Sequence, residues 1–115
     1  MDIQRINPSA KWSDVTVFNK MAHFVEVPFD ETADMLGQVE QVFAQAEEML
    51  ASVNSDKSRL VSVTIYVTDF ANLSILNEAW INWLPEGCAP SRACLKVELA
   101  DPAYLVEIAF VAAVK

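Results

Sequence analysis

The segment Tyr104-Leu105-Val106-Glu107-Ile108-Ala109-Phe110-Val111 constrains the fold more than any other part of this chain. It is apolar on both alternating rows, the pattern of a central strand covered on each face rather than of a strand at a sheet edge. Glu107 interrupts the run, and an isolated carboxylate is not left in such surroundings without a partner or a task. Arg92 poses the same question one segment earlier. It follows Ala89-Pro90-Ser91 and opens the alternating stretch Ala93-Cys94-Leu95-Lys96-Val97-Glu98-Leu99. A guanidinium at the mouth of one strand and a carboxylate in the middle of the next make Arg92 and Glu107 a candidate site for a small anionic substrate.

The rest of the chain supplies the elements around this pair. Val15-Thr16-Val17-Phe18 and Met21 to Val27, separated by Asn19-Lys20, read as a β-hairpin. From Asp30 to Val53 the apolar residues Leu36, Val39, Phe43, Ala46, Leu50 and Val53 recur in steps of three or four, one face of a helix whose first turn is acidic. Asn54 is suited to the left-handed exit from that helix. Leu60 to Val67 alternates with its aliphatic residues at odd positions. Thr68-Asp69 caps a second helix, about Phe70 to Leu84, bearing Leu73, Leu76, Trp80 and Leu84. Two strands, about Arg92 to Leu99 and Tyr104 to Val114, complete the order ββ-α-β-α-ββ. The expected fold is α+β, a mixed sheet with both helices on one face, in a single domain spanning residues 1–115. Ala93, Leu95, Val97 and Leu99 are expected to meet the helices, with Arg92, Cys94, Lys96 and Glu98 on the uncovered face. Periodicity alone makes the last two strands a hairpin.

Composition narrows the function. Hydrophobic residues make up 53% at a mean hydropathy of +0.23, more apolar surface than one small core needs, so a subunit interface is expected. No apolar run approaches the roughly 20 residues that span a bilayer, and Met1-Asp2-Ile3-Gln4-Arg5 lacks a signal-peptide core; the expectation is a cytoplasmic protein with no membrane partner. A net charge of -8 repels phosphates, so no nucleic-acid partner is expected. Cys88 and Cys94, with His23 far away, match no common zinc spacing, so no metal is expected and both thiols read as reduced and structural.

Ala89-Pro90-Ser91-Arg92-Ala93-Cys94-Leu95-Lys96-Val97 followed by Val106-Glu107-Ile108 resembles the signature of the Rid family, the reactive intermediate deaminases, also called YjgF-type proteins or L-PSP endoribonucleases. Gln38, the run Val63 to Phe70 and Asn77-Glu78-Ala79-Trp80 have family counterparts as well. Trp12-Ser13-Asp14-Val15 and Asp101-Pro102-Ala103-Tyr104 are most similar to the YoaB-like branch. The resemblance implies a chorismate-mutase-like fold whose last strand is inserted between earlier ones, and a homotrimeric barrel with clefts at subunit interfaces. It implies that Arg92 binds a substrate carboxylate and that Glu107 positions the water attacking an imine carbon, with Cys94, Trp12 and Asn77 as further binding residues. The activity it implies is hydrolysis of 2-imino or enamine acids to a 2-keto acid and ammonia, with no metal or organic cofactor.

Two departures bear on that activity. Phe24-Val25-Glu26 stands where deaminase-type relatives carry a small Ser-Gly pair, and Trp12 stands for a Tyr, whose phenol oxygen accepts a proton as an indole N–H cannot. They imply a narrower cleft or a different ligand. A non-catalytic module binding a small carboxylate ligand, or a regulatory one, is the alternative; a ribonuclease is disfavoured by the acidic charge. Without the motif, Arg92 reads as an interface salt bridge, with Glu107 among its possible partners, and Glu107 as a structural acid satisfied by backbone amides. The motif turns the balance toward anion binding.

Overall fold

The computed structural model describes residues 2–115. Six strands form one mixed sheet: β1 (Gln4–Ile6), β2 (Val15–Phe18), β3 (Met21–Glu26), β4 (Leu60–Val67), β5 (Ser91–Lys96) and β6 (Val106–Ala113). Helix α1 (Met35–Ser52) follows β3 and α2 (Leu73–Trp83) follows β4. Across the sheet the order is β1-β2-β3-β6-β4-β5. The doubly apolar strand is therefore central: β6 pairs antiparallel with β3 on one side and β4 on the other. No terminal hairpin forms. β5 instead adds parallel to β4 at the sheet edge, and β6 returns between two earlier strands, as the family resemblance implies.

Local chemistry sets the element ends and corrects several expected boundaries. Asn19 and Lys20, at φ 53° and 62°, make the left-handed pair of a two-residue hairpin turn. α1 begins at Met35 rather than near Asp30, because the Asp30 carboxylate is taken by Thr32 N (3.0 Å) and Thr32 Oγ1 (2.6 Å). Asp34 is the cap, accepting from Gly37 N at 2.9 Å, so the acids expected in the first turn precede the helix. Glycine is required at 37, since a Cβ there would stand 2.9 Å from that of Ala33. Asn54 leaves the helix at φ 59°, as its side chain suggests. The second helix opens with a 3-10 turn, Phe70–Asn72, capped by Asp69, and is α-helical only from Leu73. A bulge between Leu60 and Ser62 shifts the β4 register, burying Leu60 and exposing Val61 against the odd-row expectation, which holds from Val63 on. β1 is unannounced by the sequence, being three residues long and polar at Gln4 and Arg5.

Both helices pack on one face of the sheet. Phe24, Val63, Ile65, Ile108 and Phe110 from the strands meet Val39, Phe43 and Leu50 of α1 and Leu76 and Trp80 of α2 in one cluster. Phe24 stacks on Phe110 at 4.9 Å, and Trp83 connects Phe110 (6.4 Å) to Phe43 (4.3 Å). The family counterpart Gln38 proves to be a clamp, 1% exposed. Its Nε2 donates to the carbonyls of Glu31 (3.3 Å), Ala33 (3.1 Å) and Ala103 (3.1 Å), and its Oε1 accepts from Leu105 N at 2.8 Å. The loop entering α1 is thereby tied to the loop entering β6, which fixes where Glu107 begins its strand. Among the described residues no helix covers the opposite face of the sheet; Val25 is 55% and Leu95 44% exposed there.

Candidate functional site

Paired residues on neighbouring strands share a face. Arg92 lies beside Val63, Cys94 beside Ile65 and Lys96 beside Val67, and those β4 side chains are buried under the helices. The even row of β5 is thus on the helix side and the apolar row, Ala93 and Leu95, on the open side, the reverse of the sequence expectation. The physical reason is the edge position. The helix layer covers only part of β5, so Arg92 passes the ring of Trp80 and keeps its head in solvent, as long cationic side chains do, while the apolar row is left on the bare face.

Arg92 is held but not neutralised. Its Nη2 donates to Asn77 Oδ1 at 2.7 Å, and its guanidinium carbon lies 5.7 Å from the Trp80 ring centroid. The ion pairs among the described residues are Lys57–Glu47 and Lys115–Asp56, so a neutral amide is its partner and most of its five N–H donors remain available. The Cys94 thiol is pushed up by burial, against an opposing influence from the Arg92 charge. A raised thiol is protonated at neutral pH and a poor nucleophile, in keeping with a packing role. Cys88 is likewise a free thiol. Arg92, Asn77 and Cys94 therefore form one group at the β5 edge.

Glu107 does not join them. It lies beside Tyr66 on the open face, half-buried. It stands two strands across and three residues along from Arg92, so the Cα atoms are about 14 Å apart, with side chains on opposite faces. A salt bridge between the two within one chain is ruled out. Trp12 sits at the far edge, in the β1–β2 loop, with β2 four strand spacings or about 19 Å from β5. Ser9 Oγ pins that loop by donating to Trp12 O (2.8 Å) and accepting from Trp12 N (3.2 Å), leaving the indole 67% exposed. Trp12, Val25, Glu26, Ala109 and Val111 line a cavity of about 520 Å³, adjoining the row that carries Glu107. Two candidate half-sites result, Arg92–Asn77–Cys94 on one surface and Glu107, next to the Trp12 cavity, on another.

Glu26, which the sequence marks only as a departure from the family pattern, lines that cavity together with Asp14 and His23. Burial raises its carboxyl, Gln45 Nε2 opposes the shift by donating at 3.1 Å, and the charges of Asp14 and Glu48 raise it further. Its neighbours lie far apart in sequence, so no local signal points to it. His23 is exposed on the open face. Among the described residues no group of three or more His, Cys, Asp or Glu is placed to hold a metal, and no helix is long and apolar enough to cross a membrane.

With the half-sites defined, comparison with known proteins places the chain. The profile of the family described as Endoribonuclease L-PSP matches residues 2–114. The chain belongs to this family, also known as Rid or YjgF. Among its relatives, a RutC family protein of Haemophilus ducreyi is 37% identical over 113 residues, covering 97% of each chain. The RutC family protein YoaB of Escherichia coli K12 is 37% identical over 114 residues, covering 99% of this chain and 100% of its own, in line with the YoaB-like branch read from Trp12-Ser13-Asp14-Val15. Rid-type folds also match in space. The crystal structure of an uncharacterized protein from Pseudomonas aeruginosa superposes with a TM-score of 0.96 at 31% identity, covering 99% of this chain and 100% of that one. NMB1025 of Neisseria meningitidis, a member of the YjgF family, gives 0.95 at 29% identity, covering 100% and 97%.

Proposed function

We propose that this single-domain chain forms a homotrimer, its open sheet faces making a central barrel of chorismate-mutase-like form, and hydrolyses 2-imino or enamine acids to 2-keto acid and ammonia in clefts between subunits. The observation that carries this reading is Arg92, an exposed guanidinium fixed by Asn77 at 2.7 Å and left without a carboxylate in a chain of net charge -8. A planar fork held in place but not neutralised is suited to a carboxylate, which it grips through two parallel hydrogen bonds. Because Arg92 and Glu107 occupy different surfaces, a cleft containing both must draw on two subunits. Joining unlike patches head to tail closes into a ring rather than a two-fold dimer.

In that cleft Arg92 orients the substrate through its carboxylate, and Glu107 of the adjacent subunit orients a water against the imine carbon and takes its proton. The new C–O bond forms as the C=N pair moves to nitrogen. Glu107 returns the water proton to nitrogen, giving the carbinolamine, whose hydroxyl proton passes to nitrogen as it collapses to C=O and ammonia leaves. Water is the only co-reactant and no oxidation state changes, so the step asks for no cofactor. A second reading, binding of a small carboxylate without turnover, draws on Val25, whose side chain lines the cavity where a smaller residue would leave more room.

The test generates 2-aminoacrylate in situ and follows ammonia and pyruvate, with light scattering to establish the trimer. Arg92→Ala removes a charge-assisted contact worth on the order of 2–5 kcal/mol, or roughly 30-fold to several thousandfold in binding and turnover. Glu107→Gln should keep keto-acid binding in calorimetry while turnover falls. If Arg92→Ala leaves both unchanged in an intact trimer, the reading is wrong. Keto-acid binding without any ammonia release in the wild type would select the binding module.

A further inference from the structure

α1 and α2 run side by side in the same direction, because each connects strands that are parallel to one another, β3 to β4 and β4 to β5. A groove of about 700 Å³ lies between their outward faces. Its floor is apolar, with Leu36 and Phe43 from α1 and Ile75, Ala79 and Trp83 from α2. Leu36 is 46% and Ile75 37% exposed. Its rim is acidic, with Glu40 and Glu47 on one wall and Glu78 on the other. Neither helix contains a single Lys or Arg, although the chain has 8. Both helices also point the negative ends of their dipoles toward Trp83.

The chain itself shows what this surface takes. Lys57 reaches in from the turn after α1, its Nζ 3.5 Å from Glu47 Oε1 and 5.7 Å from the Trp83 ring centroid. One end of the groove thus holds an ammonium between a carboxylate and an indole face. Glu40 and Glu78 have no such ion pair among the described residues.

We propose that the groove between α1 and α2 docks a basic amphipathic helix of a partner protein. Apolar residues at helical spacing would lie on the floor while flanking Lys or Arg meet Glu40 and Glu78. An open valley between parallel helices accepts a third helix by ridge-and-groove packing, and α2, at 11 residues, offers about 16 Å of contact, three turns of the partner. A second copy of the chain is a poor occupant, because its helices present the same acidic face and like charges would meet. The surface lies on the side of the sheet away from Glu107, and the inference is independent of the imine chemistry.

The probe is a labelled synthetic helical peptide of about 15 residues, Leu at helical spacing on one face and Lys on both flanks, titrated with the full chain by fluorescence anisotropy. Saturable binding that weakens with salt is expected, falling roughly tenfold or more in Glu40→Lys/Glu78→Lys and in Leu36→Asp. All three positions are exposed, so circular dichroism melts should stay near those of the wild type. A scrambled peptide of the same composition should bind far more weakly. Absence of binding, equal binding of the scrambled peptide, unchanged binding to both variants, or complete displacement by spermidine would overturn the proposal, the last two results marking no more than a diffuse attraction for cations.

Discussion

Arg92 and Glu107 sit on opposite faces of one sheet, about 14 Å apart by strand spacing, and this separation makes a quantitative demand on mixed assemblies. If a working cleft takes Arg92 from one subunit and Glu107 from the next, Arg92→Ala and Glu107→Gln chains, each strongly impaired alone, should rescue each other when co-expressed and purified through a tag that both carry, without selection for mixed rings. A cleft is intact when the subunit supplying Arg92 carries the glutamine change and its neighbour carries the alanine change. In rings filled at random from equal amounts these are two independent even draws, so about one quarter of the clefts are intact. Turnover in the ammonia-release assay should recover to about one quarter of wild type, with KM unaltered because the surviving clefts are complete. Skewing the ratio of the two chains either way should lower the yield. Were both residues supplied by one subunit, every cleft would lack one of them. Recovery no greater than the background of the single variants, in assemblies proven to be mixed, would refute the head-to-tail arrangement.

Two further outcomes test the framework around the half-sites. Gln38→Leu removes four hydrogen bonds at a nearly dry position and orphans Leu105 N–H, an expected loss of about 3–5 kcal/mol, measured as a lower urea midpoint at fixed protein concentration; a midpoint close to wild type would mean that water replaces the clamp. Burial holds the Glu26 carboxyl above its ordinary value of 4.5, so the folded chain binds that proton more tightly than the unfolded one, and stability is lost as pH rises from the ordinary value through the raised one. Glu26→Gln keeps an acceptor for Gln45 and should therefore raise the melting temperature near pH 7 but not below about pH 4; an equal shift at both would show that the gain is not electrostatic.

How far the sequence reaches depends on whether a feature is local. Tyr104 to Val111 announces its central place because both of its rows are apolar, although the structure buries only one of them fully. The Asn19-Lys20 turn and the Asn54 exit are legible as local features too. The face of β5 is not, because periodicity reports which row is apolar and not which cover that row meets. Ala93 and Leu95 read as core, yet they lie on the helix-free side, while Arg92 takes the inner row at an edge where its head still reaches water. The start of α1 fails differently. Asp30, Glu31 and Asp34 read together as the acidic first turn of a helix, and its true start falls to the close approach of Gly37 to Ala33 and to the grip of Gln38 on residues 65 and 67 positions away. Of the candidate site, Arg92 and Cys94 stand out through the motif and Asn77 through the wider resemblance, whereas the meeting of these three at one edge and the separation of Glu107 and Trp12 from them required the strand order.

The proposed ring of like subunits, each carrying -8, must overcome its own repulsion, and the distribution of charge bears on how. Glu40, Glu47, Glu48 and Glu78 all lie on the helices, on the far side of the sheet from Val25, Leu95 and Glu107. Helices stand about 10 Å from the sheet they cover, close to one Debye length at physiological salt, so these carboxylates interact weakly across an interface built from the open faces. The charged strand residues of that open face are Arg5 and Glu107, of opposite sign, with His23 between them, so apolar burial of Val25, Leu95 and Phe18 has little net charge to offset, and Glu107 in the proposed cleft faces the guanidinium of a neighbour. The same segregation concentrates negative charge on the outer layer, where no Lys or Arg of either helix relieves it. An apolar open face suited to the proposed ring and an acidic outer groove suited to the proposed basic partner are therefore two consequences of one arrangement. A charge added to the open face, as in Leu95→Glu, should dissociate the ring, while charge reversal at Glu40 and Glu78 should leave it intact.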